Sequence, residues 1–278
     1  LEDPKFSTGN LGGGNFMAWG SASFSGYRDF ELFKSGQESG VSYLIARQLA
    51  SAGLNDPTQA LMFDELGLGN RMKLGYTVDC REDTMLFAVP FSSATNAMNA
   101  QNFADSNSYN IWAVPGMRVA DLDDANYANV NPYYARMNTL AAPIDHVDLV
   151  NPTTFALWLG IDDLLLHAKN GAGNGTEITS PAEFEMNISN LLTELTLNRG
   201  GQGVIATIPD FFKYPFFNLV AYNALDITQE EADQLNLVYA LNPNVSFQAG
   251  PNAFVVQDVL TQRHMTENEK LMITLDLD

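Results

Sequence analysis

The chain carries one cysteine, Cys80, and three histidines among 278 residues. A lone thiol excludes an intrachain disulfide and a cysteine-rich zinc site. Cations are scarce, with 14 Lys and Arg against 33 Asp and Glu, for a net charge of −19. That balance argues against nucleic acid or an anionic lipid surface as partner, because either would repel the chain. No stretch reaches the ~18 consecutive apolar residues of a membrane-spanning helix. The sequence opens at Leu1 without Met and without a basic-then-apolar leader, which reads as a mature or trimmed form.

What is present is apolar mass. Hydrophobic residues make up 46% of the chain, including 17 Phe, 10 Tyr and 3 Trp. This suffices for a large core and excludes wholesale disorder. The length allows two domains of ~150 residues or one larger α/β domain with an insertion. The patterning favours the second. Residues 1–14 are polar and rich in Gly and Asn, a flexible lead-in. Residues 15–278 read as one domain, with 55–105 as an insertion holding strand candidates at 72–78 and 84–90.

The clearest signal is a strand–helix–strand unit. Thr154-Phe155-Ala156-Leu157-Trp158-Leu159 is a continuous apolar run of the kind found in central parallel strands. Ser180-Pro181-Ala182-Glu183 predicts a capping box opening a helix that runs to about Leu197. Gly203 to Ile208 is the next strand. Earlier runs at 15–19 and 109–114 are further buried strands, 21–40 reads as largely loop, and 41–54 has helical spacing. In the tail, 253–258 and 271–275 predict two strands joined by a polar turn. Together these give a three-layer α/β/α sandwich with a mainly parallel sheet. Loops following strands, at Gly20, Gly116, Gly160 and Pro209, then share one crevice at the carboxyl ends of the strands.

The residues in those loops carry a resemblance. Phe16-Met17-Ala18-Trp19-Gly20-Ser21-Ala22-Ser23-Phe24-Ser25-Gly26-Tyr27 resembles the first block of SGNH (GDSL) hydrolases, in the version found in outer-membrane lipoproteins of Bacteroidota, Gly-Asp/Asn-Ser-Leu-Thr/Ser-x-Gly. Ala113-Val114-Pro115-Gly116 resembles the second block, whose glycine amide lines the oxyanion hole. Trp158-Leu159-Gly160-Ile161-Asp162-Asp163 resembles the third, Gly-x-Asn-Asp. The segments 33–38, 131–136, 215–217 and 222–225 are similar to the same subgroup, so the resemblance runs from about residue 15 to the end. It implies a serine carboxylester hydrolase fold at the cell surface, with a signal and anchor outside this chain. It also implies an acyl or carbohydrate ester ligand, an outer-membrane or cell-surface protein partner, and neither cofactor nor metal.

The chemistry implied by that resemblance fails residue by residue. Ester hydrolysis here needs a serine nucleophile, a histidine base and donors aimed at the oxyanion. Aligning Gly20 and Gly26 on the block glycines puts Ala22 in the nucleophile slot, with Ser21 and Ser23 as its neighbours. Asp162 replaces the Asn whose amide would donate to the oxyanion, and Asp163 follows it. The family's Asp-x-x-His near the C-terminus has no counterpart in His146, His167 or His264. The chain ends roughly where that pair would stand. The expectation is a catalytically degenerate SGNH-like protein that binds a ligand or serves as an accessory subunit of an outer-membrane assembly. The alternative is a working carboxylester hydrolase using Ser21 or Ser23, with a base from His146 or from sequence outside this chain. Asp121, Asp123 and Asp124 read as a solvated acidic turn, lacking the Gly and distal Glu of an EF-hand loop.

Overall fold

A computed structural model describes residues 7, 9, 11, 13–78, 82–101, 109–137, 141–171, 178–257 and 261–271. They fall into two compact units, Leu1–Leu166 with Glu177–Ile208, and His167–Thr176 with Pro209–Asp278. The sequence reading takes 15–278 as one domain, so the second unit is a departure from it.

The first unit is α/β. Its strands are β1 (Phe16–Gly20), β2 (Met72–Val78), β3 (Thr84–Pro90), β4 (Ile111–Ala113), β5 (Thr154–Trp158) and β6 (Gln202–Ile205). Its helices are α1 (Ala22–Ser25), α2 (Lys34–Glu38), α3 (Val41–Ser51), α4 (Pro132–Ala135), α5 (His146–Val150), α6 (Asp162–Lys169, which runs past the unit boundary) and α7 (Pro181–Leu192). Four strands form a parallel sheet in the order β4-β1-β5-β6. Relative to one another, these strands run second, first, third, fourth. The chain therefore reverses direction across the sheet between β1 and β5, the position at which open α/β sheets form their ligand crevice.

Alternation along the strands builds a core on each face of the sheet. Met17, Trp19, Trp112, Phe155 and Leu157 point to one side and pack with Leu191 at the end of α7 and Leu195 in the wider helical turn that follows it. Phe16, Ala18, Ile111 and Ala156 point to the other, against Phe24 of α1 and Ala46 of α3. Trp19 and Trp112 are essentially fully buried, each worth roughly 2–3 kcal/mol of transfer free energy. The α7 start is capped by the Ser180 hydroxyl, which accepts the Glu183 N–H at 3.3 Å. The return bond from the Glu183 side chain, expected of a full capping box, does not form.

Residues 21–40, read from sequence as loop, hold α1 and α2 instead. Their shortness hides them from periodicity, and backbone contact holds them. Gly26 has φ +83°, and a Cβ there would lie 2.1 Å from the Gly36 oxygen. Ser42 clamps the same turn by donating to the Phe24 carbonyl at 2.8 Å. The expected excursion at 55–105 contains β2 and β3, a seven-pair antiparallel hairpin at the predicted positions.

The second unit is built differently. β7 (Leu225–Ile227) pairs antiparallel with β8 (Gly250–Asn252), and β9 (Val255–Gln257) with β10 (Gln262–His264). Helix α8 (Gln229–Val238) opens with a complete capping box between Thr228 and Glu231. A small core gathers Ala232, Val245 and Phe247. β9 pairs with the polar Gln262-Arg263-His264, at the start of the stretch the sequence reads as a turn, while the expected strand at 271–275 lies almost wholly outside the described residues. Ladder hydrogen bonds, and the Arg263 fork on Glu269 at 2.6–2.7 Å, fix that segment without any apolar signal. Residues 272–278 lie outside the described residues, as do Cys80 and most of the lead-in.

Candidate functional site

The crevice forms where the ends of three parallel strands are stitched together. Val114 donates to the Gly20 carbonyl at 2.9 Å, and Ser21 donates to the Trp158 carbonyl at 3.3 Å. Gly160 turns the third loop with φ +98°, and a Cβ there would press within 2.9 Å of Phe184 and Ile208. Asn131, at the start of α4, holds the second loop by donating to the Pro115 carbonyl at 2.9 Å. Its Oδ1 caps α4 by accepting the Tyr133 and Tyr134 N–H groups. Gly20, Ser21, Ala22, Gly116, Gly160 and Asp162 are therefore brought to one place, and Asp163 directly behind it.

Asp162 is the centre of that place. The Ser21 hydroxyl and the backbone N–H groups of Ala22 and Gly116 face its carboxylate. Burial nonetheless pushes its carboxyl above the ordinary range against those three groups, with the neighbouring Asp163 adding to the rise. The Ser21 Oγ and the Asp162 Oδ2 are both buried without a partner. The Ala22 and Gly116 amides thus face a carboxyl group supplied by the chain itself. Ala22 presents a methyl group.

Asp163 has a different task. It accepts the Val119 N–H at 2.8 Å and the Thr179 hydroxyl at 2.5 Å, so it fastens the loop at 119 to the loop before α7. Burial raises its carboxyl as well. Asp121 is taken up by Arg118, whose backbone N–H and guanidinium both reach it, the latter at 2.7 Å. Asp124 accepts the Asn126 N–H in a local turn. Among the described residues, no group of three His, Cys, Asp or Glu could hold a metal ion.

Neither Ser21 nor Ser23 is bonded to an imidazole. His146 lies fully buried and stacked on Trp112, with ring centroids 3.4 Å apart. Tyr134 donates its one hydroxyl proton to the Ala141 carbonyl at 2.8 Å, so the His146 Nε2, 2.9 Å away, carries a proton and donates to that oxygen. Burial lowers the ring to about 3, so it stays neutral at physiological pH. Within the second unit, the ring nitrogens of His264 lie within 2.9 Å of the Ala253 and Ser246 carbonyls. His167 lies on α6, after the third loop.

The sequence missed a buried polar group formed by Glu31, Tyr133 and Arg136. Glu31 is fully buried and accepts the Tyr133 hydroxyl at 2.6 Å and the Leu32 and Asn70 N–H groups at 2.8 and 3.0 Å. Burial lowers the Arg136 guanidinium to about 10, and it donates to the Ala60 and Leu61 carbonyls. A cavity of about 10 Å³, the size of one water, lies between Gln59, Val114, Tyr133 and Arg136. Tyr27 packs edge-on to Tyr133 and feels the charge of both Glu31 and Asp162, so this cluster borders the crevice. The only sequence signal was that Tyr133 and Arg136 fall in a block resembling the lipoprotein subgroup. Comparison with family models, curated proteins and solved structures finds no match to this chain.

Proposed function

We propose that this chain is a three-layer α/β/α protein of the SGNH-hydrolase type that has lost hydrolysis and keeps its scaffold for binding. In this reading it is a cell-surface accessory or ligand-binding subunit of a bacterial outer-membrane assembly, and its crevice faces an acyl or carbohydrate ester group. One observation carries the loss of catalysis: the Asp162 carboxylate stands among the Ser21 hydroxyl and the Ala22 and Gly116 amides. An oxyanion arriving there would meet a negative charge where a donor worth ~3 kcal/mol belongs. The nucleophile slot holds a methyl group, and His146 is committed to Trp112 and Tyr134. The strand order and the packing of helices on both sheet faces support the scaffold part of the reading. Among the described residues, no helix is long and apolar enough to cross a membrane.

A second reading, a working carboxylester hydrolase, draws on one contact. The Ser21 hydroxyl faces a carboxylate that could take its proton. Ser21 is fully buried, however, and an attacking oxygen must come within ~3–3.5 Å of the substrate carbonyl. The same carboxylate would also oppose the oxyanion it helped to create. Hydrolysis of short p-nitrophenyl esters decides between the readings. The purified protein is expected to match its heat-denatured control. Turnover that Ser21→Ala abolishes would establish the second reading.

A further inference from the structure

The β2–β3 hairpin leaves much of one face exposed. Its cross-strand pairs on that face are Met72 with Pro90, Leu74 with Ala88, Tyr76 with Leu86, and Val78 with Thr84. Leu74 is 74% exposed, Tyr76 79%, Val78 62% and Leu86 57%. The opposite face is anchored at its base, where Arg71 lies 3.5 Å over the Phe33 ring and 4.2 Å over Phe91. Neither strand joins the parallel sheet. A lone two-stranded ribbon is marginal in water, and a contiguous apolar face of this size marks a binding surface.

We infer that this face packs against the same face of a second copy of the chain, the two hairpins stacking about a two-fold axis. The four exposed side chains offer about 500 Å² per copy, so two copies bury about 1,000 Å², the lower bound of a specific interface. The face carries no side chain that is charged at neutral pH. It is therefore self-complementary in a chain whose other surfaces, at net charge −19, repel a second copy. No charge on it selects an oppositely charged partner. A lipid surface fits less well, because the sequence between the strands includes Asp79, Arg81, Glu82 and Asp83, which insertion would have to desolvate.

Sedimentation velocity over a concentration series, at low and high salt, tests this inference. The mass should double as concentration rises, and the dimer should tighten with salt, because screening removes the repulsion while leaving the apolar contact. Leu74→Lys with Tyr76→Lys should weaken dimerisation at least about tenfold, while Leu241→Lys, at a fully exposed site elsewhere, should leave it unchanged. Hydrogen exchange on the unmodified protein should slow at 72–78 and 84–90 as concentration rises, a readout that does not depend on the variant folding. A monomer at every concentration, or a dimer indifferent to the double substitution, would overturn the inference. Hairpin-dependent binding of the monomer to phosphatidylcholine vesicles would overturn it in favour of lipid.

Discussion

Replacing Asp162 by Asn should stabilise the first unit at neutral pH. Asp162 is 9% exposed, and burial holds its carboxyl above its ordinary pKa. A carboxyl whose folded pKa exceeds its unfolded value of ~3.9 keeps its proton to higher pH in the folded state. Stability therefore falls as pH climbs from ~3.9 through the folded value, and the loss is complete above it. An amide escapes this cost. Its Oδ1 can still face the Ala22 and Gly116 amides, and its Nδ2 can donate to the Ser21 Oγ, one of the two buried atoms now without a partner. Removing a partly solvated buried charge and gaining one hydrogen bond is worth about 1–2 kcal/mol. Urea unfolding followed by tryptophan fluorescence suits the measurement, because Trp19, Trp112 and Trp158 all lie in the parallel sheet of the first unit. The gain should be largest at about pH 7 and shrink toward about pH 4, where the wild-type carboxyl is protonated in both states and its charge cost is gone. A loss of more than about 1 kcal/mol at neutral pH would refute the reasoning, because it would mean the charged carboxylate is a well-bonded anchor.

Other perturbations have equally definite outcomes. His146, held to about 3 by burial, binds no proton in the folded state where the unfolded chain does, below ~6.5. This group's contribution should lower stability by about 2–3 kcal/mol between pH 7 and pH 4.5, and His146→Gln should remove that component of the slope in pH-resolved unfolding curves. Gly26→Ala places a Cβ 2.1 Å from the Gly36 oxygen at φ +83°, and calorimetry should record a loss of about 3 kcal/mol or more. Tyr133→Phe leaves the buried Glu31 without its 2.6 Å donor and should cost about 1–3 kcal/mol in the same assay. Ala22→Ser combined with Asp162→Asn installs the serine and asparagine of the proposed hydrolase pattern but supplies no imidazole, so an ester-turnover assay should still read background.

Strands β1, β4 and β5 of the parallel sheet were legible because they are largely buried and read as unbroken apolar runs, as 154–159 does, whereas β6 is exposed along its length. The strands at 72–78 and 84–90 could be picked out within mixed patterning, but their pairing with each other could not. The helices at 22–25 and 34–38 were not, since four or five residues carry no period and close glycine packing fixes them. Strand β10 was hidden for a related reason: Gln262, Arg263 and His264 pair through their backbones, and no side-chain pattern announces it. At the crevice, the loops following β1, β4 and β5 were placed from sequence, along with Ala22 and Asp162. The facing of Ser21 on Asp162 was not, nor was the burial of Glu31 against Tyr133. Both depend on side chains far apart in the chain meeting in space.

The central claim is that no serine in this crevice is a nucleophile. Incubation with a fluorophosphonate, followed by intact-mass and peptide mass spectrometry, tests it most directly, because the reagent requires an activated hydroxyl and no knowledge of the substrate. The folded protein should remain unmodified at Ser21 and Ser23. Stoichiometric phosphonylation of either serine, lost on heat denaturation, would contradict it.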